Sequence, residues 1–94
     1  MAIRKALTAT ARALSGVDEE LQRHGVGQGR VSNAKQLASI REQLTLMETQ
    51  LSSSQLPPKE QRVRGAGRAV ADSWPFDSAL GAMVLEAEQL YLKA

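Results

Sequence analysis

Apolar and polar positions along this chain recur with helical spacing. Ile3, Leu7, Thr10, Leu14, Val17, Leu21 and His24 alternate at intervals of four and three, and five of the seven are aliphatic. That is the seam of a helix meeting a partner helix. Ala2, Ala6, Ala9 and Ala13 run beside its first half. Small side chains let a second helix come close, so the first half is predicted to touch two neighbours and the second half fewer. Ser15-Gly16 is a potential break, but the seam keeps its phase through it, which favours one continuous or slightly kinked helix.

Three glycines within Gly25-Val26-Gly27-Gln28-Gly29 end that helix, because glycine is costly in a helix interior. Gly25 suits the left-handed position that follows a helix, and Ser32 is the expected cap of the next one. Leu37, Ile40, Leu44, Met47 and Leu51 then repeat in strict three-four spacing between the polar flanks Gln36, Arg41, Gln43, Glu48 and Gln50. This narrow seam fits one arm of an antiparallel hairpin. Leu46 lies off it.

Ser52-Ser53-Ser54 closes the second helix and Pro57-Pro58 turns the chain. Proline is accepted in a first helical turn, so a third helix is expected from Pro58, with Val63, Ala66, Gly67 and Val70 inward. It stops near Asp72, since Pro75 biases Trp74 away from helical geometry. Asp72 or Ser73 would cap a fourth helix carrying Phe76, Leu80, Met83, Val84, Ala87, Leu90 and Tyr91 on its core face. No stretch alternates with period two, so no sheet is expected. The pattern therefore predicts an all-α antiparallel four-helix bundle, with helices near 2–24, 32–54, 58–72 and 75–93 in a single domain spanning 1–94. The alternative is a three-helix bundle with a last helix kinked at Trp74-Pro75. Trp74, the largest side chain present, is expected to plug one end of the core.

Composition narrows the chemistry. At 94 residues, a chain can bury roughly two thirds of its unfolded surface, enough for one core without staples. The absence of cysteine removes disulfides, thiolate metal sites and thiol nucleophiles. No run reaches the length of a membrane span, and Arg12 interrupts the segment after Arg4 and Lys5, unlike a signal peptide. A soluble, cytoplasmic protein without membrane association is the expectation. The net charge of +2 carries little by itself, but its distribution is uneven: Lys59, Arg62, Arg64 and Arg68 cluster, followed by Asp72, Asp77, Glu86 and Glu88.

Few residues have the makings of a catalytic set. His24 is the only histidine, and no ligand spacing accompanies it, so its ordinary place is the helix C-terminal dipole. No catalytic residue, metal site or cofactor is expected, and the chain reads as a non-enzyme. Arg62-Val63-Arg64-Gly65-Ala66-Gly67-Arg68 offers guanidinium forks and glycines to a phosphate, yet lacks the dinucleotide and P-loop patterns. Its bland counterpart is a helix packed through Ala66 and Gly67, with Glu60 and Arg64 paired on the solvent side. On the fourth helix, Gly81, Leu85 and Leu92 form a second apolar stripe outside the core face. Such surplus either meets a partner or shows that the helix is packed on both sides within the chain. The leading expectation is a small protein-interaction module, self-associating or binding a protein partner through Gly81, Leu85 and Leu92. A nucleic-acid-binding module using Lys59, Arg62, Arg64 and Arg68, with Arg30 and Lys35 as helpers, is the alternative.

Overall fold

The computed structural model describes residues 2–75 and 77–94, the side chain of Ala2 excepted. Phe76, expected on the core face of the last helix, lies outside the described residues. Helices α1 (Ala2–Gly25), α2 (Ala34–Ser52), α3 (Ala66–Ser73) and α4 (Ala79–Lys93) form an all-α bundle, with one turn of 3₁₀-helix at Lys59–Gln61 and no strand among the described residues. α1 continues through Gly16 as its phase predicts. At about 1.5 Å per residue, its 24 residues span nearly the full 38 Å length of the molecule.

α1 is the central rod. It packs against α2 on one flank and α4 on the other, while α3 packs on α4. The flanks are marked by two contacts: Gly16 faces Leu80 and Met83 of α4, and Asp18 pairs with Arg41 of α2. The deepest line of α1 is therefore the one lying between its two neighbours, made of Ala6, Ala9, Thr10, Ala13 and Val17. Thr10 and Val17 of the predicted seam lie on this line together with the alanines beside it, whereas the leucines of the seam are displaced from it. Leu7, Leu14 and Leu21 are half-buried on the flank shared with Asp18, and Ile3 is exposed. Where three helices converge, backbones approach most closely, and alanine fits there better than leucine. Thr10 is tolerated because its hydroxyl donates to the Ala6 carbonyl at 2.7 Å.

α2 buries Leu37, Ile40, Leu44, Met47 and Leu51, the whole seam predicted for it, and Leu46 is exposed. Asn33 caps it rather than Ser32, its side chain accepting the Gln36 amide at 2.9 Å. Ser32 instead sits at φ +62° in the turn before it. Both long helices end in the same way. Gln28 N–H reaches the Arg23 carbonyl at 2.7 Å and Gly27 N–H the His24 carbonyl at 3.2 Å; Gln55 N–H reaches Gln50 at 3.1 Å and Ser54 N–H reaches Leu51 at 3.4 Å. These are paired closures through a left-handed residue, which is Gly27 (φ +77°) in one case and Ser54 (φ +57°) in the other. Gly25, expected in that role, is the last helical residue instead.

The second half of the chain departs most from its pattern. The helix expected over 58–72 is divided: a 3₁₀ turn, an extended stretch at Arg62, and a left-handed Gly65 (φ +123°) precede the eight residues of α3. Glu60 and Arg64 thus share no helix and do not form the expected i,i+4 pair. α3 buries Ala66, Gly67 and Val70. It ends at Trp74, which is extended ahead of Pro75 as expected. Asp72 and Ser73 close α3 and do not open α4, which starts four residues later than predicted with Ser78 as its cap, its side chain accepting Gly81 N–H at 3.0 Å.

Each end of the core is closed by an aromatic side chain bonded to a glutamine of α2. Trp74 is 7% exposed, and its indole N–H donates to Gln36 Oε1 at 2.7 Å. Tyr91 is fully buried; its hydroxyl donates to Gln50 Oε1 and accepts Val63 N–H at 3.2 Å. A buried indole or phenol needs such a partner.

Candidate interaction surface

The stripe Gly81, Leu85 and Leu92 lies on the side of α4 that faces α3. Gly81 is buried, and a Cβ there would stand 3.0 Å from Val70 and 3.4 Å from the Trp74 ring. Leu85 lies against Gly67, 3.2 Å from where its Cβ would be. The Leu92 side chain is half-buried, and its carbonyl accepts from Arg62. α4 is thus packed on both sides, and α3 of the same chain fills most of the stripe. α3 approaches so closely because Gly67 has no side chain and because Glu88 of α4 accepts the Gly67 amide at 3.2 Å. With a glycine at the capping position, the first turn of α3 takes its cap from a carboxylate of another helix.

The four basic residues of 59–68 do not all face solvent. Lys59 sits in the 3₁₀ turn, Arg62 and Arg64 in the extended stretch, and Arg68 on α3 beside Asp72 at 3.8 Å. Lys59, Arg64 and Arg68 are exposed, whereas Arg62 turns inward. Its guanidinium donates to Pro57 O at 3.0 Å and to the Tyr91 and Leu92 carbonyls at 3.0 and 3.1 Å, and lies 5.9 Å from the Tyr91 ring centroid. Arg62 therefore caps the C-terminus of α4 and ties the 53–65 connection to it, so these donors are committed within the fold. Of the two suggested helpers, Arg30 and Lys35 are exposed near the other end of α2.

His24 belongs to a cluster around Glu20. The Glu20 residue is 2% exposed. Its Oε2 accepts the Arg30 and Val31 amides at 2.7 and 2.8 Å, its Oε1 accepts Arg23 Nη1 at 3.1 Å, and His24 Nε2 is 3.5 Å away. Burial pushes the carboxyl pKa up; the Val31 and Arg30 amides, then the Arg23 guanidinium, outweigh it and hold the pKa below its ordinary value. His24 Nε2 donates to the Val31 carbonyl at 2.8 Å, and its ring lies where a Cβ on Gly29 would fall. Together these groups fold the glycine-rich connection onto the end of α1. Glu20 Oε2 and His24 Nε2 are engaged by backbone groups and Glu20 Oε1 by Arg23, and among the described residues no three His, Asp or Glu side chains converge on a metal position.

A surface channel lies on the opposite side of α4, between it and the first half of α1. This open groove of about 680 Å³ is lined by Arg4, Lys5, Thr8, Ala9, Arg12, Met83, Glu86 and Leu90. Ala9, Met83 and Leu90 make its floor. Ala9 is too small to fill the space between the helices, and Arg4, Thr8 and Arg12 follow one another at four-residue steps along its outer wall. None of Arg4, Lys5 or Arg12 joins an ion pair among the described residues. The chain up to Val17 carries those three cations and no acid. That asymmetry was readable in the sequence, but the groove beside it was not, because it needed the packing of α4. The burial of Glu20 is hidden in the sequence for the same reason: as one of the three consecutive acids Asp18, Glu19 and Glu20 it looks like part of a solvated run.

No helix among the described residues is long and apolar enough to cross a membrane. No known protein family matches the chain, and no characterised protein is close enough in sequence to transfer a role to it.

Proposed function

We propose that this protein is a small, non-enzymatic protein-interaction module whose binding surface is the groove between α1 and α4. The observation carrying this reading is that the groove combines an apolar floor with a charged wall and is covered by no element among the described residues, whereas the stripe on the other side of α4 is taken by α3. A helix bundle offering a channel between two of its rods is suited to accept a third. The non-enzymatic part is supported by the state of Glu20, His24 and Arg23, a cluster of titratable groups whose donors and acceptors hold a loop in place.

Photo-crosslinking in its native host tests this reading. A photoreactive amino acid at Thr8 is expected to give a defined protein adduct, and one at the exposed Thr45 of α2 none. Equal labelling from both positions would remove the groove as the surface. Light scattering over a wide concentration range tests the homodimeric form; a constant monomer mass excludes it and leaves a heterologous partner.

A further inference from the structure

We propose that the occupant of the α1–α4 groove is an acidic amphipathic helix from another protein. The inference rests on the groove being the interaction surface, and adds what fills it.

The groove sets out both halves of the complement. Its floor of Ala9, Met83 and Leu90 calls for apolar anchors along one face of the ligand. Its rim sets Arg4, Lys5 and Arg12 against the single acid Glu86, so the opposite face of the ligand must be acidic to match it. The three cations have no carboxylate partner among the described residues, and a partner's carboxylates would give them one. The channel runs along two helices and has no strand edge beside it, which suits anchors at three- and four-residue steps on a helix and gives nothing for an extended peptide to pair with. A small anion would leave the apolar floor uncovered.

The chain does not supply this ligand itself. Its own acidic stretch, 72–88, has its apolar positions Gly81, Val84 and Ala87 buried between α1 and α3, so a second folded copy cannot present an acidic helix with a free apolar face. The acids that follow on α1 begin at Asp18 and leave the basic wall confined to the first half of that helix.

Synthetic helical peptides test the proposal with the full chain. The probe is a labelled peptide of about four turns with leucines at three- and four-residue steps and glutamates elsewhere. Its controls are a twin with lysine for glutamate and an acidic scramble of the same composition. Fluorescence anisotropy is expected to show binding of the acidic amphipathic peptide alone, with amide shifts concentrated at residues 4–12 and 83–90, and weakening as salt rises. The triple variant Arg4→Glu, Lys5→Glu, Arg12→Glu is expected to weaken that binding roughly tenfold or more and to gain affinity for the lysine twin. Thr8→Glu, a single exposed change in the same wall, is expected to act in the same direction and keeps the test open if the triple variant does not fold.

Equal binding of the lysine twin in the groove would overturn the acidic preference while leaving the groove as the interaction surface. Equal binding of the scramble, shifts outside the groove, or no binding by any peptide would overturn the proposal. So would groove shifts produced only by phosphatidylglycerol vesicles or only by raising the protein's own concentration. The crosslinking from Thr8 judges the broader reading independently.

Discussion

The two long connections of this bundle are tied down by opposite charges. The 26–33 connection is held by a carboxylate: Glu20 reaches from α1 to the Arg30 and Val31 amides. The 53–65 connection is held by a guanidinium: Arg62 reaches back to the Pro57 carbonyl and across to those of Tyr91 and Leu92. In each case the sign of the charge follows the backbone groups left without partners. A turn that points N–H groups inward needs an anion, and a helix C-terminus that points carbonyls outward needs a cation. The difference is that one clamp titrates and the other does not, since a guanidinium stays charged at any ordinary pH.

That contrast is open to direct attack. Glu20→Ala would leave two inward amides and the Arg23 guanidinium without their acceptor, and is expected to cost about 3 kcal/mol in chemical denaturation. Glu20→Gln, which keeps one acceptor oxygen, is expected to cost less than Glu20→Ala. Equal costs would mean that the clamp depends wholly on the charged carboxylate and that a neutral acceptor rescues nothing. Acid should act on the same clamp. Because the folded-state pKa of Glu20 is lowered, its stabilising contribution is complete above the ordinary glutamate value near 4.5 and disappears as pH falls through the lower folded value. Hydrogen exchange is expected to quicken at 26–33 on going from pH 5 to strongly acid solution, relative to the intrinsic rate, with the 53–65 connection changing less. Uniform loosening of both would show that the two clamps are not independent.

Arg62→Ala is expected to cost about 2 kcal/mol, and Arg62→Lys to recover only part of it, because an ammonium cannot span the Pro57 carbonyl and the end of α4 with a planar fork. Full recovery by lysine would reduce the clamp to a charge effect. The smallest effect compares the two helix ends. Ser54 occupies the left-handed position that Gly27 occupies at the end of α1, so Ser54→Gly is expected to raise stability by about 0.5 kcal/mol, the relief of strain set against the entropy of glycine in the unfolded chain. A loss of stability would mean that Ser54 makes contacts worth more than its strain.

Legibility differed sharply between the first half of the fold and the second. The seam of α2, its outlying Leu46 and the continuity of α1 through Gly16 follow from spacing alone, because one repeated face meeting one neighbour leaves a clean period. On α1 spacing marks a seam and an alanine stripe beside it, and the deepest line takes Thr10 and Val17 from the one and Ala6, Ala9 and Ala13 from the other, because a helix between two neighbours is ranked by room as well as by apolarity. The third element was least legible: eight helical residues held by Glu88, Trp74 and Arg62 depend on groups far away in the chain. Spacing marks Gly81, Leu85 and Leu92 as an apolar stripe outside the core face of α4, but not that α3 of the same chain lies over it. Composition marks the basic segment as a candidate phosphate contact, but not that Arg62 turns inward onto the Pro57, Tyr91 and Leu92 carbonyls.

What the sequence by itself determined was the set of helical faces, the breaks between them and the lack of any strand pattern, all of which are local consequences of side-chain period, proline and glycine. What only the tertiary structure decided was which surplus stays uncovered. Two faces of α4 had apolar side chains to spare; α3 settled on one because Gly67 allowed contact, and the other, walled by Arg4, Lys5 and Arg12, was left open because α1 offers Ala9 where a larger residue would have closed it. That outcome depends on the distance between helix axes, which the order of residues along one helix does not contain.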